Sequence, residues 1–293
     1  MKTNAACIAC LTRQAVEAAQ QVSDNEADVE RIIKRVLRET AEFDLSLSPP
    51  EMAQMIHRVL RQESECDDPY AEVKAQSAAL ALSLAYRAKT RIAMADDPFE
   101  AALRFAIAGN IIDFGALPIS DIKHAPAVLE QALAQPINMQ MVQQLETALN
   151  SAQRLLILAD NVGETFFDKL LIEQLPPHLE VIYAVKASPI INDATEADTV
   201  DAGIAALAKV IDTGCDAPGT PLAQCSVSFK HYFDSADIVL AKGMANFETL
   251  HDAEREIYFL TQIKCPVLAE HTPFAQGDWV ITTNHQLQTA ASL

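Results

Sequence analysis

Through the first 150 residues apolar side chains recur every three or four positions, a helical period that predicts helices over 10–21, 26–42, 50–65 and 69–95. Ser48-Pro49-Pro50-Glu51 and Asp67-Asp68-Pro69 supply helix starts, because the first helical turn has no use for the amide that proline lacks. Phe99, Ala102, Leu103, Phe105 and Ala106 extend the pattern over 98–110, and 139–152 forms one more amphipathic helix. Between them, Gly109-Asn110-Ile111-Ile112-Asp113-Phe114-Gly115 sets two glycines around a polar pair, which signals a bend or a close backbone approach.

Beyond residue 150 the period changes. Short apolar runs at 155–159, 181–185, 209–211, 238–241, 266–269 and 279–281 read as buried strands, with helical patterns at 166–175, 199–207 and 246–262 between several of them. Alternation of this kind predicts βαβ units and a mostly parallel sheet covered on both faces. The expected architecture is a three-layer α/β/α fold preceded by a helical N-terminal region, divided at 1–98 and 99–293. No short internal repeat is present.

Composition narrows the function. Half of the 293 residues are hydrophobic but only 6% are aromatic, which suits helices packed on a sheet. Twenty-two basic against forty acidic residues give a net charge of −18, a field that repels nucleic acid and anionic membranes. An anionic substrate would need a metal or a few placed cations. No stretch of about 18 apolar residues suggests a transmembrane helix, and the N-terminus lacks the apolar run of a signal peptide. Six scattered cysteines are too few for a disulfide scaffold, so a cytoplasmic protein with reduced thiols is expected.

The strand ends carry the candidate chemistry. Leu155-Leu156-Ile157-Leu158-Ala159 runs into Asp160-Asn161-Val162-Gly163-Glu164; the next strand runs into Lys186-Ala187-Ser188 and Asn192-Asp193; a later one ends at Lys242-Gly243-Met244-Ala245-Asn246. Ligands bind at the carboxyl ends of strands in open α/β sheets. If these strands are parallel neighbours, Asp160, Asn161 and Asp193 make an incomplete oxygen cage of the kind Mg2+ uses, and Lys242 offers a point charge to a phosphate oxygen. Ser188, Asn110 and Asn246 are candidate substrate contacts beside them. Each residue also has a plainer reading, since Asp160, Asn161 and Asp193 can cap helices and Lys242-Gly243 can be a solvated turn.

Taken together, Gly109-Asn110-Ile111-Ile112-Asp113, Asp160-Asn161-Val162-Gly163-Glu164, Asn192-Asp193 and Lys242-Gly243-Met244-Ala245-Asn246-Phe247-Glu248-Thr249-Leu250 resemble the successive signatures of the damage-control phosphatases, formerly domain of unknown function 89. Cys7-Ile8-Ala9-Cys10-Leu11, Asp68-Pro69-Tyr70 and Lys74 resemble the marks of its prokaryotic, cysteine-bearing branch. The resemblance implies a metal-dependent phosphatase of small phosphorylated metabolites such as sugar phosphates, nucleotides or damaged phosphometabolites. It makes Asp160, Asn161 and Asp193 ligands of a divalent cation, Mg or Mn with Ni or Co as alternatives. Lys242 becomes a phosphate contact, and Glu164 a residue near the substrate. Asp160 would serve as nucleophile, or as ligand or base for an attacking water. Met244 stands where the lysine-glycine motif usually has Gly or Asp, and Ala269-Glu270-His271 where relatives tend to carry a basic residue.

Other classes find less support. No strand leads into GxGxxG, no P-loop is present, and the seven histidines show no HxH or HxxxH spacing. A non-catalytic metal- or nucleotide-binding protein is the alternative on the same fold. Cys7 and Cys10 share a helix face or form half of a thiolate metal site, which Cys265 or Cys66 would extend.

Overall fold

The computed structural model describes residues 1–111 and 125–290; Asp113 lies outside the described residues. Helix α1 (Ala5–Val22) starts where the Asn4 side chain accepts from the Ala6 and Cys7 amides, and α2 (Glu26–Glu42) where Asn25 accepts from Ala27. In α3 (Pro49–Ser64) Glu51 reaches back to the Ser48 amide at 2.9 Å. The three enclose a core of their own around Ala15, Ile32, Val36, Met52, Ile56 and Leu60. Helix α4 (Ala71–Ala93) instead puts Ala81, Leu84, Ala88 and Ile92 into the core beneath the sheet.

After α5 (Pro98–Ile111), α6 (Ala125–Ala132) and α7 (Met139–Ser151) come β1 (Arg154–Leu158), α8 (Thr165–Ile172), β2 (Glu180–Val185), α9 (Thr199–Ala202) and β3 (Lys209–Asp212). Then follow α10 (Val227–Ser235), β4 (Ile238–Lys242), α11 (Gly243–Leu250), β5 (Tyr258–Gln262), α12 (Pro266–Glu270), β6 (Trp279–Thr283) and α13 (Asn284–Ala290). The six strands lie in the order β3-β2-β1-β4-β5-β6, parallel except for β6. Alternate residues serve opposite cores: Leu155, Ile157, Val181, Tyr183 and Leu240 face one helical layer, while Leu156, Leu158, Ile182, Val239 and Phe259 face the other. This is the expected three-layer arrangement with a helical N-terminal region. Among the described residues no helix is long and apolar enough to cross a membrane.

The strand order reverses between β1 and β4, so their carboxyl ends form the switch point at which open α/β sheets bind ligands. The helix expected over 199–207 is α9 and a separate 3-10 turn, broken at the left-handed Gly203, and two further stretches differ in type. The run at 266–269 is not a strand but the start of α12, because Pro266 has no amide for a ladder and suits a first helical turn. The single helix expected over 246–262 is α11 followed by β5, since Phe247, Leu250, Ile257 and Leu260 keep a helical spacing across what is a buried Tyr258-Phe259-Leu260-Thr261 strand.

Candidate functional site

Asp160 stands two residues past the end of β1, just after Ala159, whose amide still donates to the Ala184 carbonyl of β2 at 2.9 Å. The segment after β2 then folds back over that end. The Ala194 amide donates to the Asp160 carbonyl at 2.8 Å and the Val162 amide to the Asn192 carbonyl at 2.9 Å, with Asn161 and Asp193 opposed in an antiparallel bridge. Backbone pairing therefore sets Asp160, Asn161 and Asp193 side by side, each less than a tenth exposed.

Amides and lysines surround these acids. Asn110, at the end of α5, donates to Asp160 Oδ2 at 2.8 Å and to Glu164 Oε1 at 2.6 Å, and Asn161 Nδ2 donates to the same Glu164 oxygen at 2.9 Å. Gly109 lets α5 come this close, because a Cβ there would lie 2.8 Å from the Phe167 ring. Lys186 Nζ reaches the Gly219 carbonyl at 2.5 Å and lies 3.5 Å from Asp193 Oδ2, while Lys264 Nζ donates to the Asn110 carbonyl. Burial pushes the Asp160 carboxyl well above the usual carboxylate range; the charges of Glu164 and Asp193 add to the push, and Lys186 and Lys264 oppose it.

Lys242 lies at the end of β4, enclosed by acids. Its Nζ is wholly buried between Glu164 Oε2 at 2.7 Å and Asp168 Oδ1 at 2.6 Å. Burial alone would lower its pKa; the two carboxylates outweigh that and hold it protonated above the ordinary lysine value. Asp168 in turn accepts from the Tyr183 hydroxyl at 2.7 Å. Glu164 is likewise fully buried and bound by Asn110, Asn161 and Lys242, so it braces the site from behind instead of lying open to a substrate. Asn246 is buried at the start of α11. Its amide donates to the Lys242 and Ala159 carbonyls at 2.7 and 3.1 Å and accepts from Thr220 at 2.7 Å, which staples α11 to β1. Ser188 lies half-buried in the bend after β2, apart from this hydrogen-bonded cluster.

Gly243 joins β4 to α11 at φ +79°, and a Cβ there would stand 1.8 Å from Asp160 Oδ2. Met244, the departure within that motif, turns its sulfur to the Lys264 amide at 3.2 Å. Asp168, Tyr183 and Lys264 stand in no motif that marks them for a site, and Lys186 stands out only as a strand-end lysine. Asp168 falls one helical turn after Glu164, which is the signal that pairs them. Lys264 follows a strand that read as helix.

The donors suit a hard divalent cation. The Asp160 and Asp193 carboxylates gather beside the Asn161 amide, whose oxygen also caps the Glu164 amide, and the burial and neighbouring negative charge that raise Asp160 are what a cation relieves. The cysteines present nothing comparable: Cys7 is buried, Cys10 exposed and Cys265 half-buried, all as free thiols. Among the described residues no group of three His, Cys, Asp or Glu is arranged to hold a metal ion. A cavity of about 760 Å3 opens beside α11, lined by Glu51, Glu248, His251 and His271, but not by the acids of the site.

Fold and site thus define a doubly wound α/β protein with a buried acid–amide–lysine cluster at the switch point of its sheet. The chain belongs to the damage-control phosphatase family, its residues 3–280 matching the damage-control phosphatase ARMT1-like domain. It is similar to an uncharacterised protein of Methanocaldococcus jannaschii, at 34% identity over 96% of this chain and 95% of that one. It is also similar to a damage-control phosphatase of Pyrococcus horikoshii, at 33% identity over 97% of this chain and 99% of the relative. The crystal structure of a DUF89 family protein from Pyrococcus horikoshii superposes with a TM-score of 0.89 at 31% identity, covering 97% of this chain and 99% of that one.

Proposed function

We propose that this chain is a divalent-metal-dependent phosphatase of small phosphate esters, a class that includes sugar phosphates, nucleotides and damaged phosphometabolites. The observation that carries the reading is the backbone bridge that seats Asn161 against Asp193 beside the Asp160 carboxyl. Asp160, Asn161 and Asp193 would hold the cation, with Mg or Mn favoured by an all-oxygen set. When bound, that cation supplies charge stabilisation at the phosphoryl oxygens.

The chain's own residues do the positioning. Asn110 orients the Asp160 carboxylate through its 2.8 Å bond, and Glu164, fixed by Lys242, holds Asn110 and Asn161 in turn. Lys186 and Lys264 provide positive charge that acts on Asp160, which a dianionic phosphate needs in a chain of net charge −18. Lys242 thereby takes a positioning role in place of a phosphate contact.

Asp160→Asn keeps the shape of the side chain and removes its charge. Hydrolysis of a panel of phosphate esters with Mg2+ or Mn2+ is expected to fall by about 10³-fold or more in this variant. Full activity in Asp160→Asn would sink the assignment.

A further inference from the structure

The N-terminal helices grip the segment that carries Asp193 at three points. From α3, Arg61 Nη1 donates to the Pro189 carbonyl at 2.9 Å. From α4, the buried Lys74 pairs with Asp68 at 3.0 Å and reaches Asp198 at 2.8 Å; the same Asp198 oxygen accepts from the Thr195 amide and hydroxyl at 2.8 and 2.6 Å. Between these ties the Ile191 side chain packs against the core of α1, α2 and α3.

Ile191 holds its backbone at φ +46°, in the left-handed region. For a β-branched residue this conformation is strained, and it persists only where the surroundings over-determine it. The surroundings here are the helical core on one side. On the other are Asn192 and Asp193, whose backbones close onto Val162 and Asn161.

We propose that Ile191 is a positioning residue for the cation site: its anchor in the N-terminal helices, flanked by the Arg61 and Lys74 ties, holds residues 189–195 on the strained path that brings Asp193 beside Asp160 and Asn161. The proposal rests on the reading of Asp193 as a cation ligand. It gives the helical region a task in the chemistry, although its own core lies apart from the sheet.

Ile191→Ala removes most of the anchor and keeps the Cβ that makes the left-handed backbone costly, so the segment is free to relax. Arg61→Gln loosens one tie and leaves Ile191 in place. The affinity of each protein for Mn2+, measured by calorimetry, is read together with amide hydrogen exchange over residues 189–195. In Ile191→Ala, exchange in this segment accelerates and Mn2+ affinity falls about tenfold, the size expected when a support behind a metal ligand is lost. Arg61→Gln moves both readouts the same way by less. Unchanged exchange in Ile191→Ala, or faster exchange with unchanged Mn2+ affinity, overturns the positioning role. Failure of the unmutated protein to bind Mn2+ or Mg2+ overturns the cation reading itself and this role with it, a case told apart by the starting protein alone.

Discussion

A methyl group at position 243 would occupy the space of an Asp160 carboxylate oxygen, so the Gly243 backbone and the Asp160 side chain are fitted to each other. Gly243→Ala meets two obstacles, the positive φ and the 1.8 Å clash. Moving Asp160 relieves the clash while the φ strain stays in the backbone, and a misplacement near 1 Å at a reacting group costs about 10²-fold in rate. Phosphatase assays should show that loss in kcat/KM while thermal unfolding falls only modestly. At this scale the polar cluster around Asp160 and Asn161 was legible as a candidate, because polar residues just past a buried apolar strand have few purely structural uses. The task of Lys242 was not legible. Its partner Asp168 lies within a run, Phe166 to Ile172, that reads as an apolar helix face, and only the folded chain shows that two acids on successive turns enclose the ammonium.

Helix α3 shows how one element couples the fold to pH. Its His57 is buried beside the Tyr70 ring, and burial, with Arg61 nearby, lowers its pKa to about 4. The folded form therefore prefers neutral histidine. That stability is complete above the ordinary histidine value and is lost as pH falls toward 4, because the unfolded chain takes up the proton first. The sum is on the order of 3 kcal/mol. Arg58 and Arg61 of the same helix bind Asp216; burial would raise that carboxyl, but hydrogen bonds from Arg58 and Gln54 and the arginine charges hold it at about 2. Its contribution is present above the ordinary aspartate value and disappears only as pH drops through about 2. Buried carboxyls with raised pKa values, Asp160 and Glu248 among them, gain stability over the same range, so the reading is a difference: between pH 7 and pH 4.5 urea unfolding should lose more stability in the parent than in His57→Phe. An equal loss in both would contradict this account. Long helices with proline or asparagine starts were readable as elements, since period and cap agree. The 243–270 stretch was not, because aromatic and aliphatic residues spaced for a helix also fill a buried strand when both faces of the sheet are covered.

For the whole molecule the excess of acids governs approach. A net charge of −18 surrounds a site proposed to take a dianion, so diffusional encounter works against the protein's field. Added neutral salt shortens the range of that repulsion to about 8 Å at physiological ionic strength. The value of kcat/KM for a phosphate ester should therefore rise between very low and physiological salt at saturating cation; a steady decrease would indicate a positive entrance outweighing the net charge. The alternating strands and helices announced the three-layer architecture, whereas the strand order did not follow from them. Which neighbour a strand chooses depends on how helices of different length cover the two faces, and the reversal beside β1 emerges only when they are packed.

The pairing of Asn161 with Asp193 has a thermodynamic side as well. Residues far apart in the chain are locked together by main-chain hydrogen bonds as the protein folds, so the entropy of gathering these donors is spent before any ligand arrives. If the proposed ion or phosphate binds here, it meets a prepared surface, and its affinity is spared the ordering cost that a floppy loop would impose.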